Sequence, residues 1–273
     1  MDGQAEGYGL MVSVSELLTT SSGALVGFVL GLIGGGGSIL AVPLLVYAVG
    51  VNSPHVAIGT SSIAVALSAM AGLWGHARAG NVKWRCALVF AAAGAVGAIL
   101  GSSFGKLVDG QRLLFLFGCL MIVIAALMIW RGSEDGDVQV RLTRSTAPDL
   151  LPWLLAYGTG VGALSGFFGI GGGFLVVPGI MAATEMPMIF AIGSSLVSVA
   201  VFGLTTAVNY AVSGLIDWKL AAFFVSGGIV GGIGGRRLSS HLSRHKKLLS
   251  QIFAGIVALA GVYVVWRGIG TFG

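Results

Sequence analysis

The sequence predicts an all-α polytopic membrane protein built from two inverted repeats, each with a glycine-broken re-entrant helix hairpin. Three observations carry this: a composition too apolar for an aqueous surface, apolar runs of bilayer length, and a repeat at about half the chain. Of 273 residues, 56% are apolar and only 9% charged, whereas a soluble domain carries roughly a quarter charged residues. One globular core cannot hide that much apolar surface. Mean hydropathy is +0.96. A soluble enzyme, a nucleic-acid-binding module and a disordered chain are excluded. The net charge of +5 sits in short basic clusters between apolar runs, the pattern of membrane topology signals.

Residues 1–20 form an N-terminal segment, and MDGQAEGYGLMVSVSE contains no Lys or Arg, so it lacks the basic start of a signal peptide. Eight apolar runs follow, at about 21–49, 55–75, 84–105, 112–130, 150–180, 187–212, 218–235 and 248–266. About 20 apolar residues span a bilayer as a helix, so most runs are one span each. The first and fifth are longer and are interrupted by glycine, at Gly34, Gly35, Gly36 and Gly37 and at Gly169, Gly171, Gly172 and Gly173. Each glycine inside a helix costs up to about 1 kcal/mol relative to Ala. These two runs therefore read as two half-helices with a break between them. The longest polar stretch, RGSEDGDVQVRLTRSTAPD at 131–149, divides the chain near its middle. The domain reading is a first transmembrane repeat over 21–132, a polar linker over 133–149 and a second repeat over 150–268.

Sliding the chain by 135 residues lays VGFVLGLIGGGGSILAVP (26–43) over VGALSGFFGIGGGFLVVP (161–178), with nine of eighteen positions identical. AIGTS (57–61) then matches AIGSS (191–195), AGNVKWR (79–85) matches SGLIDWK (213–219), and WRG closes both halves at 130–132 and 266–268. Membrane proteins with two related halves are typically transporters, with the site at the repeat interface. Charge decides the orientation of the halves. If each broken run crosses once, the two sides carry eight and seven Lys/Arg; if each is a hairpin, they carry eleven and four. The positive-inside rule favours the second arrangement. Each half then crosses an odd number of times, the repeats are inverted, both termini face outward, and Arg78, Arg85 and Arg244 face the cytoplasm.

GGGGSILAVP, followed by HVAIGTSS and GHARAGNVKWR, resembles the TauE/SafE sulfite exporter family. The second half repeats the signature as GIGGGFLVVP, AIGSS and NYAVSGLIDWK. The resemblance implies an integral permease of a bacterial inner membrane that moves small sulfur-containing anions such as sulfite, sulfoacetate or other organosulfonates. The family is associated with both export and uptake, and export is the direction expected here. Export of a monovalent anion from a cell negative inside gains about 2.3 kcal/mol per 100 mV.

The residues themselves give a site without reference to any family. A half-helix starting inside a membrane exposes backbone N–H groups that lipid cannot satisfy. Its N-terminus carries about half a positive charge, and glycine lets an anion approach the backbone. The candidate cradle is therefore Gly34 to Gly37 with Ser38, facing Gly169 and Gly171 to Gly173. Thr60 and Ser61, matched by Ser194 and Ser195, add hydroxyls that donate to oxyanions; bonding back to their own helix is the competing use. Gly23, Gly27 and Gly31, spaced by four, read as helix packing, and Pro43 and Pro178 as bends. His76 is a candidate proton carrier, with interfacial anchoring as the plainer reading of it and of His55. Cys86 and Cys119 read as small apolar residues. No carboxylate lies deep in any run, and no phosphate-binding loop, zinc pair, cofactor motif or serine-nucleophile elbow occurs. A non-enzymatic carrier whose partners are lipid and a small anion is the reading. A membrane scaffold without transport activity is the rival.

Overall fold

The computed structural model describes residues 2–33, 35–130, 142–143, 146–241 and 246–272. Among the described residues every regular element is helical. In chain order they are α1 (Asp2–Ile33), a 3-10 turn (Gly35–Leu40), the short α2 (Ala41–Pro43), a π turn (Leu44–Ala48), α3 (Pro54–Arg78), α4 (Trp84–Gly105), α5 (Gly110–Trp130), α6 (Ala147–Phe168), α7 (Gly173–Thr184), α8 (Met188–Val212), α9 (Trp218–His241) and α10 (Lys246–Phe272). Among the described residues, seven helices have the length and apolarity of a membrane span.

Local chemistry fixes the helix ends. The Ser53 hydroxyl accepts from the Val56 N–H and Pro54 sits in the first turn, a standard start for α3. The Asp109 carboxylate accepts from Gln111 and Arg112 N–H at 3.1 and 3.2 Å, and Asp217 accepts from Lys219 and Leu220 N–H at 3.0 Å each. Each acid satisfies the orphan donors of the following helix. Gly80 and Gly214, at φ +70° each, turn the chain after α3 and α8.

The arms of the broken runs are unequal. α1 contributes a 19-residue span at Val14–Leu32 and α6 a 22-residue span, whereas the returning arms, Gly37–Ala48 and Gly173–Thr184, are shorter. The expectation of two half-helices per run is corrected to one span-length arm followed by one short arm. α1 also runs unbroken from Asp2, so no element boundary falls at residue 20. Most of the linker, together with Arg244 and His245, lies outside the described residues.

The packing pattern is unchanged when the halves are exchanged. α1 packs on α9 as α6 packs on α4, α3 on α9 as α8 on α4, α3 on α8 and α5 on α10. Glycine makes the closest of these contacts possible. A Cβ on Gly27 would overlap the Gly228 backbone, and one on Gly162 would overlap Gly94, its counterpart. The packing role read from the spacing of Gly23 and Gly27 is observed, since both abut the α9 backbone.

Two hydrogen bonds fix how α3 and α8 cross. Thr60, near the start of α3, accepts from the Asp217 N–H just beyond α8 (3.1 Å). Ser194, near the start of α8, accepts from the Lys83 N–H just beyond α3 (2.9 Å). The two helices are therefore antiparallel. At one end of the bundle Arg85 donates to the Leu142 carbonyl oxygen (3.3 Å). At the other, the Lys106 ammonium donates to the Asn209 side-chain oxygen and the Ser213 hydroxyl at 2.8 and 2.9 Å. Lys219 pairs with Glu16 at 2.8 Å, which sets the Val14 end of α1 at the α8–α9 loop.

Candidate functional site

The second break is built by three left-handed glycines. α6 ends on Gly169 at φ +65°, whose N–H bonds Gly166 O while Ile170 N–H bonds Ser165 O. This 5→2 and 6→1 pair is the Schellman stop, which places glycine at the left-handed position. Ile170 is fully buried beyond it. Gly171 and Gly172 follow at φ +61° and +69°, and Gly172 caps α7 with no side-chain hydrogen bond. Leu175 and Val176 N–H both reach the Gly172 carbonyl oxygen, at 2.9 and 2.8 Å. The N–H groups of Gly173 and Phe174, ahead of them, have no intrahelical acceptor by geometry.

This helix start lies deep in the bundle. A Cβ at Gly171 would meet Val65 at 2.8 Å and Val199 at 3.7 Å. Val65 and Val199 are each the twelfth residue of a 25-residue helix, α3 and α8, and are repeat counterparts. A point touching both lies where the two helices cross, halfway along each. Ser165 is fully buried without a hydrogen-bond partner, and its Oγ would be 2.6 Å from a Cβ on Gly172. Ser198, on α8 beside Val199, is likewise fully buried and unpartnered. An unpaired buried hydroxyl costs about 1–3 kcal/mol, so Ser165 keeps an uncompensated polar demand beside the positive start of α7.

The first break has a matching sequence and a different shape. Gly34 lies outside the described residues. Gly35, Gly36, Gly37 and Ser38 wind as a 3-10 turn that passes through the three-residue α2 into the π turn. A Cβ on Gly37 would press on Val26 O of α1 at 2.7 Å, and Ser38 is fully buried. This 3-10 turn packs against α7, so the two breaks meet.

The flanking hydroxyls divide by task. Thr60 and Ser194 accept the cross-repeat N–H bonds described above and retain their own protons for donation. Ser61 and Ser195 donate to the Ile58 and Ile192 carbonyls of their own helices, at 3.0 and 2.8 Å. Ser62 Oγ lies 2.8 Å from both Ile58 O and Gly169 O, tying α3 to the second break. His76 stands in the last turn of α3 and lines a small cavity between α1, α3, α8 and α9. Among the described residues no group of three His, Cys, Asp or Glu side chains is placed to hold a metal.

Sequence reasoning missed Ser165 and Ser198. Their repeat counterparts are Leu30 and Ala64, so a search for matched hydroxyls passes over them. For Ser165 the available signal was a hydroxyl one helical turn before a glycine break; Ser198, inside the continuous α8, carried none.

The family described as sulfite exporter TauE/SafE matches residues 20–264. A probable membrane transporter protein of Xylella fastidiosa strain 9a5c is 51% identical over 263 residues, covering 94% of this chain and 97% of that protein. The probable membrane transporter YunE of Bacillus subtilis strain 168 is 26% identical over 273 residues, covering 94% and 99%. A probable transporter of Methanocaldococcus jannaschii, MJ0441, is 29% identical over 209 residues, covering 72% and 71%. No solved structure matches the chain.

Proposed function

The chain belongs to the TauE/SafE sulfite exporter family, and on that premise we propose that it is a secondary permease exporting small sulfur-containing anions such as sulfite, sulfoacetate or other organosulfonates. The anion is held at the broken helices where α3 and α8 cross. One observation carries this reading: the uncapped, glycine-lined N-terminus of α7 beside Val65 and Val199, with the unpaired Ser165 hydroxyl at its mouth. A helix N-terminus binds an oxyanion through backbone N–H groups and the macrodipole. Ser165 adds a donor that loses no other partner when it turns to the anion. The 3-10 turn over Gly35 to Ser38 closes the cradle from the other repeat, and Thr60 and Ser194 supply hydroxyl protons at its edge.

The inverted-repeat reading draws support from the antiparallel crossing of α3 and α8 and from the exchange-symmetric packing. Eleven Lys/Arg then share the end that holds Arg78 and Arg85, against four at the other. By the positive-inside rule that end is cytoplasmic, in a bacterial inner membrane, with both termini outside.

Flux into proteoliposomes with sulfite, sulfate, thiosulfate and organosulfonates tests the reading. Uptake of at least one of these anions, with an anion-dependent rise in thermal stability in detergent, is expected. A folded protein that neither moves nor is stabilised by any of them is a scaffold, and the permease reading falls.

A further inference from the structure

The two halves share a backbone arrangement around the first helix of each repeat but fill it differently. In the first half a cavity of about 30 Å³ lies between α1, α3, α8 and α9, lined among others by Gly27, Leu30, Ser68, Gly72, His76 and Gly228. The repeat counterparts of these residues are Gly162, Ser165, Phe202, Thr206, Tyr210 and Gly94. The glycine contacts show that the two places are equivalent. Gly27 abuts Gly228 as Gly162 abuts Gly94; Gly228 faces the Ser68 hydroxyl where Gly94 faces the Phe202 ring. Phe202 is fully buried, stacks on Phe90 with ring centroids 6.4 Å apart, and lies 3.4 Å from a Cβ on Gly172. It fills the space that Ser68 leaves open.

We propose that solute access runs through one half-site only: the Ser68–His76 cavity is the access site for the anion, and Phe202 is a fixed plug in its counterpart. This rests on the permease reading. The lining suits an anion. It offers a hydroxyl, an imidazole and glycine backbone, and includes no carboxylate. Arg78, two residues beyond His76, holds its guanidinium 4.5 Å over the Trp74 ring, at the end of the bundle with most of the cations. An anion approaching from that end meets this charge first. The difference between a serine and a phenylalanine is covalent. No rocking of one repeat against the other transfers the cavity to the second half.

Cysteine accessibility tests the cavity without knowledge of the substrate. In a background with Cys86 and Cys119 replaced by alanine, Ser68→Cys and, with Phe202 intact, Thr206→Cys at the counterpart of cavity-lining Gly72 are treated in vesicles of both orientations. The probes are the anionic methanethiosulfonate ethylsulfonate and its cationic trimethylammonium analogue. Position 68 is expected to react from the Arg78 side only. Relative to a free thiol, the anionic reagent is expected to be favoured at least fivefold. Position 206 is expected to remain unmodified behind the Phe202 ring. An unreactive position 68, a reactive position 206, or a preference for the cation overturns the inference. A second arm is Ser68→Phe, which copies the plug into the first half; the Gly94–Phe202 contact shows that this backbone arrangement accommodates the ring. Anion flux is expected to fall at least tenfold in folded protein, and undiminished flux overturns the inference. Wild-type protein that moves no anion sinks the permease reading instead, and the labelling still judges the cavity.

Discussion

The two breaks descend from nearly the same residues, yet one is a helix stop and restart and the other an unwound ramp. GIGGG at 169–173 ends α6 with a Schellman turn and opens the 12-residue α7 on a left-handed glycine. GGGGS at 34–38 leads instead into a 3-10 turn, a three-residue α-helix and a π turn. The telling difference is Ile170, whose counterpart is Gly35. A buried isoleucine two residues past the helix end anchors the turn, as the apolar residue of a Schellman motif does. With glycine in its place nothing apolar pins the chain, and the low helix propensity of the run lets it unwind. The lesson is that glycine permits a break, while one apolar residue beside it decides whether the chain stops and restarts as a helix.

Four measurements test this contrast, the strongest first. Gly171→Val puts a β-branched residue at φ +61°, into Val65 and into the proposed anion site. Flux should vanish in protein that still inserts and folds, and Gly36→Val in the 3-10 turn should reduce it less. Equal losses would mean that both breaks bind alike; normal flux in a folded Gly171→Val protein would remove the helix-terminus cradle. Ile170→Gly should turn the second break into a copy of the first, costing about 2–5 kcal/mol for a fully buried isoleucine. A thermal-unfolding midpoint unchanged from wild type would show that Ile170 does not pin the turn.

Ser165→Ala should weaken anion binding by about 1.5–3 kcal/mol, the range for a hydrogen bond to a charged group. Unliganded stability should hold or rise, because an unpaired buried hydroxyl is removed. Isothermal titration with the transported anion reads the first quantity and thermal melting the second; full affinity in the variant would take Ser165 out of the site. Thr60→Ala and Ser194→Ala should each cost about 0.5–1.5 kcal/mol of stability, by nearly equal amounts, since each removes one cross-repeat hydrogen bond. Markedly unequal melting shifts would show that the two crossings are not equivalent.

Much of the fold is legible in the sequence because its signals are local and repeated. Apolar runs located α3, α4, α5 and α8 to within three residues at each end and α9 and α10 to within six. Matched signatures such as AGNVKWR and SGLIDWK anticipated the exchange-symmetric packing. The length of α1 was hidden because its first turns are polar, so hydropathy alone started the run near residue 21. The site was only partly legible. A serine in an apolar helix serves its own carbonyl, a neighbouring helix or a ligand, and its letter is the same in each case. Ser61 and Ser194 represent the first two outcomes, by their distances to Ile58 O and Lys83 N, and Ser165, buried with no partner, is the one we propose for the third.

The exchange of partners between halves has a consequence for synthesis. α1 seats its glycines on the backbone of α9, and Gly27 and Gly228 stand 201 positions apart in the chain. At roughly 5–20 residues per second, α1 emerges about 10–40 seconds before the surface it fits. Throughout that interval its small-residue groove faces lipid or the insertion machinery. A ribosome-bound first half is then an unpaired intermediate rather than a finished module. Truncation after the linker should leave a product that quality-control proteases remove, and co-expression of the second half as a separate chain should rescue it.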